Sequence, residues 1–256
     1  IASAILGTLS ETDTLLLVMA VVMCFTGAAN SLNDVVDFEI DKINRPLRPL
    51  PSGFVQKRTA LFISILLFSI GTLLCLELSE TAKVIGIVIA MPFMVIYTKF
   101  LKGIPLVGNI TIAFILGLSF LFCGAAFNNM SLMWIPMILA FGLTLVRELV
   151  KDIADMDGDK SAGHKTFPIT AGIEKAIQLS IFLSACIGVG AFIPYLNGTY
   201  GIWYGILLIL GVEIPLGVVV VSLLNNPGIS SATHGARILK FSTLMGLIAI
   251  YSGTFS

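Results

Sequence analysis

Charge is scarce in this 256-residue chain: Asp, Glu, Lys and Arg together make up 12% of it, about half the share usual in a soluble domain. Histidine is rarer still. His164 and His234 stand far apart with no second metal-binding residue at ligand spacing, so neither reads as a ligand or a catalytic group. Cys24, Cys75, Cys123 and Cys186 occur singly inside apolar stretches. Without a C-x-x-C pair they suit neither a disulfide scaffold nor a thiolate metal site, and they read as small buried hydrophobes. The opening residues lack the basic n-region and the cleavage site of a signal peptide.

Apolar residues fill the space that charge vacates. They make up 57% of the chain, and the mean hydropathy is +0.99. A membrane-crossing helix needs about 20 mainly apolar residues. Such runs recur near 13–33, 59–78, 82–98, 104–127, 131–147, 174–194, 201–224 and 236–255, which predicts eight spans. The runs are long and unbroken, unlike the ten-residue alternating strands of a membrane barrel. The expected fold is all-α, a polytopic membrane helical bundle forming one domain over 1–256, with cap loops near 34–58 and 147–175. The opening "IASAILGTL" is too short to cross and reads as the tail of a further helix, which would bring the bundle to nine.

The few charges are sorted by side. With eight spans, the loops near 34–58, 98–103, 147–175 and 225–240 share one face, and of the 15 basic residues only Lys83 falls on the other. Glu11, Asp13, Glu77 and Glu80 lie with Lys83. Basic residues collect in cytoplasmic loops, so the basic face is expected to be cytoplasmic in a multi-pass protein of the cell membrane.

Acidic residues are concentrated in two matching places on that face. Asp34, Asp37 and Asp41 repeat as Asp152, Asp155 and Asp159, the same D-x-x-D-x-x-x-D spacing displaced by 118 residues, with Asn30 aligned to Glu148 and Asn33 to Lys151. Residues at i, i+3 and i+7 share a helix face, so each triplet predicts a stripe of carboxylates at the end of a span. Four spans separate the copies, which returns the chain to the same side and lets the stripes confront each other. Six facing carboxylates repel and resist burial as anions. A divalent cation relieves both effects, and Mg2+ prefers oxygen ligands shared between one or two carboxylates and substrate phosphates. Asn33 joins the six aspartates as a candidate ligand.

Cations follow the carboxylates. Arg45 and Arg48 lie in "KINRPLRPLPSG", where Pro46, Pro49 and Pro51 end the helix. Arg147 and Lys151 precede the second triplet, Lys160 and Lys165 follow it, and "YTKFLKGIPLVGN" adds Tyr97, Lys99, Lys102 and Asn109. Arg45, Arg48, Lys102, Arg147 and Lys151 are the candidate diphosphate contacts, since guanidinium and ammonium groups bind phosphate oxygens by charge-assisted hydrogen bonds. Asn30, Tyr97 and Asn109 are candidates for orienting a substrate. Lys57, Arg58, Lys175, Arg237 and Lys240 read as orientation signals alone. Arg48, Lys160 and Lys165 exceed what one metal-bound diphosphate needs and are available to a second phosphate.

Asn33-Asp34-x-x-Asp37-x-x-x-Asp41 with "NRPLRPLPSG", then "RELVKDIADMDGD" with "GHKTFPI", resembles the two signatures of the UbiA-type intramembrane prenyltransferases. The resemblance covers nearly the whole chain. It implies nine helices around a central cavity capped by the two Asp-rich loops, and Mg2+-dependent transfer of a prenyl group from a prenyl diphosphate to an aromatic ring or a hydroxyl. The same segments are most similar to the branch that makes archaeal ether lipids. That likeness implies geranylgeranyl diphosphate as donor and geranylgeranylglyceryl phosphate as acceptor, with a quinone-pathway aromatic acceptor as the alternative. The polar Arg-Pro start of the family's first helix, near the acceptor pocket, has no counterpart here.

A secondary transporter, the competing class, places its carboxylates near the membrane midplane on interrupted helices. Here only Glu213 is midspan. No nucleic-acid or protein partner is indicated; the expected partners are the two substrates and membrane lipid.

Overall fold

A computed structural model describes residues 1–161 and 163–255, and of Ile43 and Asn44 only the backbone. Among the described residues every regular element is helical. One turn, α1 (Ala2–Ile5), precedes the first span, α2 (Thr12–Val36). A short α3 (Phe38–Asn44) and a proline-rich loop lead to α4 (Lys57–Cys75), α5 (Glu80–Leu101), α6 (Val107–Ala126) and α7 (Met130–Ala154). After α8 (Met156–Ser161) and α9 (Phe167–Ala171), the chain crosses in α10 (Ile173–Leu196), α11 (Ile202–Asn225) and α12 (Ile229–Phe255).

These eight helices are each long and apolar enough to cross a bilayer. Their outer faces carry large exposed hydrophobic side chains, among them Met23, Phe62, Val88, Phe182, Val221 and Phe241. A continuous apolar exterior of this kind is incompatible with water and matches lipid tails. The protein is an integral membrane protein.

The bundle has two large apolar cores and a small third cluster of Val35, Leu50 and Ala60 under the proline-rich loop. Val18, Val21, Phe25, Cys75, Ile85, Leu118 and Phe122, from α2, α4, α5 and α6, form one cluster. Val146, Val150, Ile177, Tyr204, Leu216 and Leu239, from α7, α10, α11 and α12, form the other. The two large clusters follow the 118-residue sequence repeat only roughly, because α7 adds Met133 to the first and Val146 and Val150 to the second. α6 lies at the centre: 67% of its apolar window is buried, against 17–33% for the other spans.

Lipid tails compete equally for apolar side chains, so helices in a bilayer associate through close approach and interhelical hydrogen bonds. α2 and α4 use both. The Ser31 hydroxyl donates to the Ala60 carbonyl (2.7 Å) and the Ser64 hydroxyl to the Ala28 carbonyl (2.9 Å).

Several helix boundaries depart from the hydropathy runs. α7 continues to Ala154, past Arg147, and α12 begins at Ile229 instead of 236. Charged and hydroxyl side chains interrupt an apolar run but not the backbone ladder; Thr233 returns its hydroxyl to the Ile229 carbonyl at 2.8 Å. Residues 104–106 are not helical, because Pro105 and a left-handed Leu106 (φ 61°) turn the chain into α6.

Candidate active site

Each carboxylate triplet straddles a bend where a single straight helix is expected. α2 stops at Val36, Asp37 takes φ −79° and ψ 3°, and α3 resumes at Phe38. Helical hydrogen bonds still run from Asp37 N to Asn33 O and from Asp41 N to Asp37 O, both 2.8 Å. The second motif does the same. Asp155 sits at φ −94° and ψ 6° between α7 and α8, with Asp155 N to Lys151 O at 2.8 Å and Asp159 N to Asp155 O at 2.9 Å. The sequence repeat is thus a structural repeat down to the middle aspartate. The bends keep the ladder while redirecting the third carboxylate, and all six aspartates line one cavity of about 930 Å³ between the two halves.

Protein cations and amides already hold most of these anions. Arg48 Nη1 bridges Asp41 Oδ2 (2.7 Å) and Asp34 Oδ1 (3.3 Å). Lys102 Nζ pairs with Asp37. On the opposite wall Asn109 Nδ2 donates to Asp152 Oδ2 (2.8 Å), and Asp159 Oδ1 lies 3.5 Å from His164 Nδ1. Asp155 has no side-chain partner among the described residues. Asp37 and Asp41 are buried, which makes neutralisation by a near cation a requirement of the fold.

Among the described residues no three acidic, histidine or cysteine side chains converge closely enough to hold a metal by themselves. Six aspartate carboxylates on two facing walls, with space between, suit a hard cation that takes its remaining ligands from phosphate and water. The residues present therefore fit Mg2+ brought together with a diphosphate better than a metal held by protein alone.

Asn30, Asn33, Arg45, Tyr97 and Lys151 also line the cavity. Thr98 donates its hydroxyl to Asn33 Oδ1 at 2.6 Å, tying α2 to α5. The end of α5 widens into a π-helical turn over Tyr97–Leu101, closed by Lys102 N to Tyr97 O at 3.0 Å, and such turns re-aim side chains at functional positions. A Cβ on Gly108 would lie 2.9 Å from both the Leu101 and Lys102 carbonyl oxygens. Only glycine lets the start of α6, which carries Asn109, come so close to the loop carrying Lys102. Ile112 and Leu116 on α6 give the same cavity an apolar wall.

Two expected phosphate contacts lie elsewhere. Arg147 is not among the lining residues; its guanidinium pairs with Glu148, and its buried Nε has no hydrogen-bond partner among the described residues. Lys160 lines neither this cavity nor its neighbour. Conversely, Glu148, His164 and Thr166 line the site unanticipated. The alignment of Glu148 with Asn30 in the repeat was a usable signal for the first. For His164 and Thr166 the signal was their place in "GHKTFPI", the segment that follows the second triplet, although no spacing rule gives the path of that loop into the cavity.

A model of the UbiA prenyltransferase family matches residues 1–233. The chain belongs to the UbiA prenyltransferase family. It is 35% identical over 242 residues to the digeranylgeranylglyceryl phosphate synthase of Methanosarcina mazei, covering 93% of this chain and 81% of that protein. A solved structure concerned with digeranylgeranylglyceryl phosphate synthase in membranes superposes with a TM-score of 0.79 at 33% identity, covering 95% of this chain and 86% of the other. A UbiA homologue from Archaeoglobus fulgidus, bound to GPP and Mg2+, shares the fold at a TM-score of 0.58 and 16% identity, over 93% of this chain and 87% of its own.

Proposed function

We propose that this UbiA-family protein transfers a geranylgeranyl group from geranylgeranyl diphosphate to the free hydroxyl of geranylgeranylglyceryl phosphate, forming an ether and releasing diphosphate. The observation that carries the chemistry is the meeting of both carboxylate triplets across one cavity. The acceptor follows the named relatives, such as the M. mazei synthase.

Asp34, Asp37, Asp41, Asp152, Asp155 and Asp159, with Asn33, are the residues that would hold Mg2+. When bound, the metal neutralises charge on the departing diphosphate. Arg45 lines the cavity, as do Lys102 and Lys151, held beside Asp37 and beside Glu148 (3.2 Å), so all three supply positive charge where the leaving group gathers negative charge. Preorganised charge of this kind is the main source of catalysis in such a site. Asn109 fixes the Asp152 carboxylate by its 2.8 Å hydrogen bond, so the second wall is oriented before substrate arrives. Ile112 and Leu116 shield an allylic cation from water on the cavity's apolar side. The side-sorting of lysine and arginine supports a cytoplasmic mouth in the cell membrane.

The test is a competition. Purified protein receives Mg2+, geranylgeranyl diphosphate, geranylgeranylglyceryl phosphate and 4-hydroxybenzoate together, and products are identified by mass. The digeranylgeranyl ether is the expected main product. A prenylated ring as the main product would overturn the acceptor and leave prenyl transfer standing.

A further inference from the structure

A smaller cavity of about 310 Å³ adjoins the catalytic one and shares Asp37, Ile40, Lys102 and His164 with it. Its remaining wall includes Lys99, at the end of α5, and Lys165, in the loop after α8, both exposed to solvent. The two segments are joined by a hydrogen bond from Lys165 N to Gly103 O at 3.1 Å. Lys102 is committed to Asp37, whereas Lys99 and Lys165 have no carboxylate partner among the described residues. Phe100 (68% exposed) and Ile104 (42% exposed) form the outer rim.

We propose that this annexe binds the phosphomonoester of the acceptor lipid, with Lys99 and Lys165 as its charge partners. The inference rests on the glycerol-phosphate reading of the acceptor. Two free ammonium groups match the charge of about −1.5 to −2 that a phosphomonoester carries near neutral pH. The shared wall sets this phosphate beside the carboxylate triplets without entering them, and a three-carbon glycerol is a short spacer between phosphate and reacting hydroxyl. The exposed Phe100 and Ile104 suit a ligand that arrives with an isoprenoid chain in lipid. Structure also changes the choice among surplus cations: Arg48 is engaged by Asp34 and Asp41, Lys160 lines neither cavity, and Lys99 takes their place beside Lys165.

The experiment compares geranylgeranylglyceryl phosphate with its dephosphorylated alcohol in wild-type protein, Lys99→Gln, Lys165→Gln and the double variant, in neutral and in anionic lipid nanodiscs. The double variant is expected to lose about 10- to 100-fold in kcat/KM for the phosphorylated acceptor, through KM, as fits the loss of charge-assisted contacts. Turnover of the alcohol and the KM for geranylgeranyl diphosphate stay within about twofold, and Lys→Arg at both positions restores the phosphate preference. An unchanged KM for the phosphorylated acceptor overturns the proposal. So does an equal loss on both acceptors, or a loss confined to anionic nanodiscs, which would assign the lysines to bulk lipid headgroups. A rise in donor KM overturns it as well, assigning the annexe to diphosphate. Should the glutamine variants fail to fold, glycerol phosphate is tested as an inhibitor of wild-type protein: competition with the acceptor supports the annexe, and competition with the donor or no inhibition overturns it. Failure of the acceptor reading itself is visible earlier, in wild-type protein that leaves the glycerol ether unprenylated.

Discussion

At the residue scale, the site balances its own charges before any substrate arrives. Arg48 is the clearest case, since one guanidinium holds two carboxylates of the first triplet. Arg48→Ala leaves the buried Asp41 without its cation, and an uncompensated group of this kind costs about 1–3 kcal/mol. Thermal unfolding in chelator is expected to show that loss, and excess Mg2+ to recover more stability in the variant than in wild type, because a cation that binds only the folded state stabilises it by mass action. An identical Mg2+ response in both proteins would separate Arg48 from the metal-binding carboxylates. Asp37→Asn and Asp155→Asn are expected to cut kcat by on the order of 10²-fold or more while the unfolding midpoint moves little, as for other electrostatic groups in a preorganised site. Full activity in both variants, or in excess chelator, would remove the metal-binding role. The six aspartates were legible from spacing alone. The pairing of Arg48 back onto them was not, because it depends on how three prolines fold the loop.

At the element scale, the two bends and the π-helical turn determine where the polar side chains point. The repeat in the sequence announced two carboxylate stripes, yet an ideal helix was the wrong geometry for both, since the middle aspartate of each leaves helical φ and ψ. Periodicity rules report side-chain spacing and say nothing about one residue with ψ near zero. The ends of α7 and α12 were missed for a related reason: hydropathy marks where lipid stops, whereas the backbone ladder continues into water. Gly108 tests how tightly these elements are fitted. Gly108→Ala pushes a methyl against two carbonyl oxygens at 2.9 Å, and overpacking of this kind costs about 1–3 kcal/mol. A lower unfolding midpoint together with a raised donor KM is expected, since Lys102 and Asn109 sit on the two sides of the contact. A lower midpoint with unchanged donor KM would confine Gly108 to stability.

At the scale of the whole molecule, the eight apolar helices were readable because a bilayer leaves few alternatives for the backbone. The sidedness yields a prediction. Single cysteines placed at Arg48 and at Lys160, in a background without the native four, are expected to react with an impermeant reagent from the same side, the cytoplasmic one. Labelling from opposite sides would break the even span count that joins the two motifs. The smaller cavity, by contrast, was invisible to sequence reasoning, because its walls come from three stretches far apart along the chain.

The close fit of α6 against α7 ties the two carboxylate walls together. A Cβ on Gly117 would stand 2.9 Å from the Met137 carbonyl oxygen, and one on Gly124 would stand 2.7 Å from Met133 Cγ. Met133, on α7, is fully buried in the same apolar cluster as Val21 and Phe25 on α2. The seam between the halves is thus made of protein packed on protein at glycine distance. Backbone contact, more than the surrounding lipid, holds the two walls at their separation.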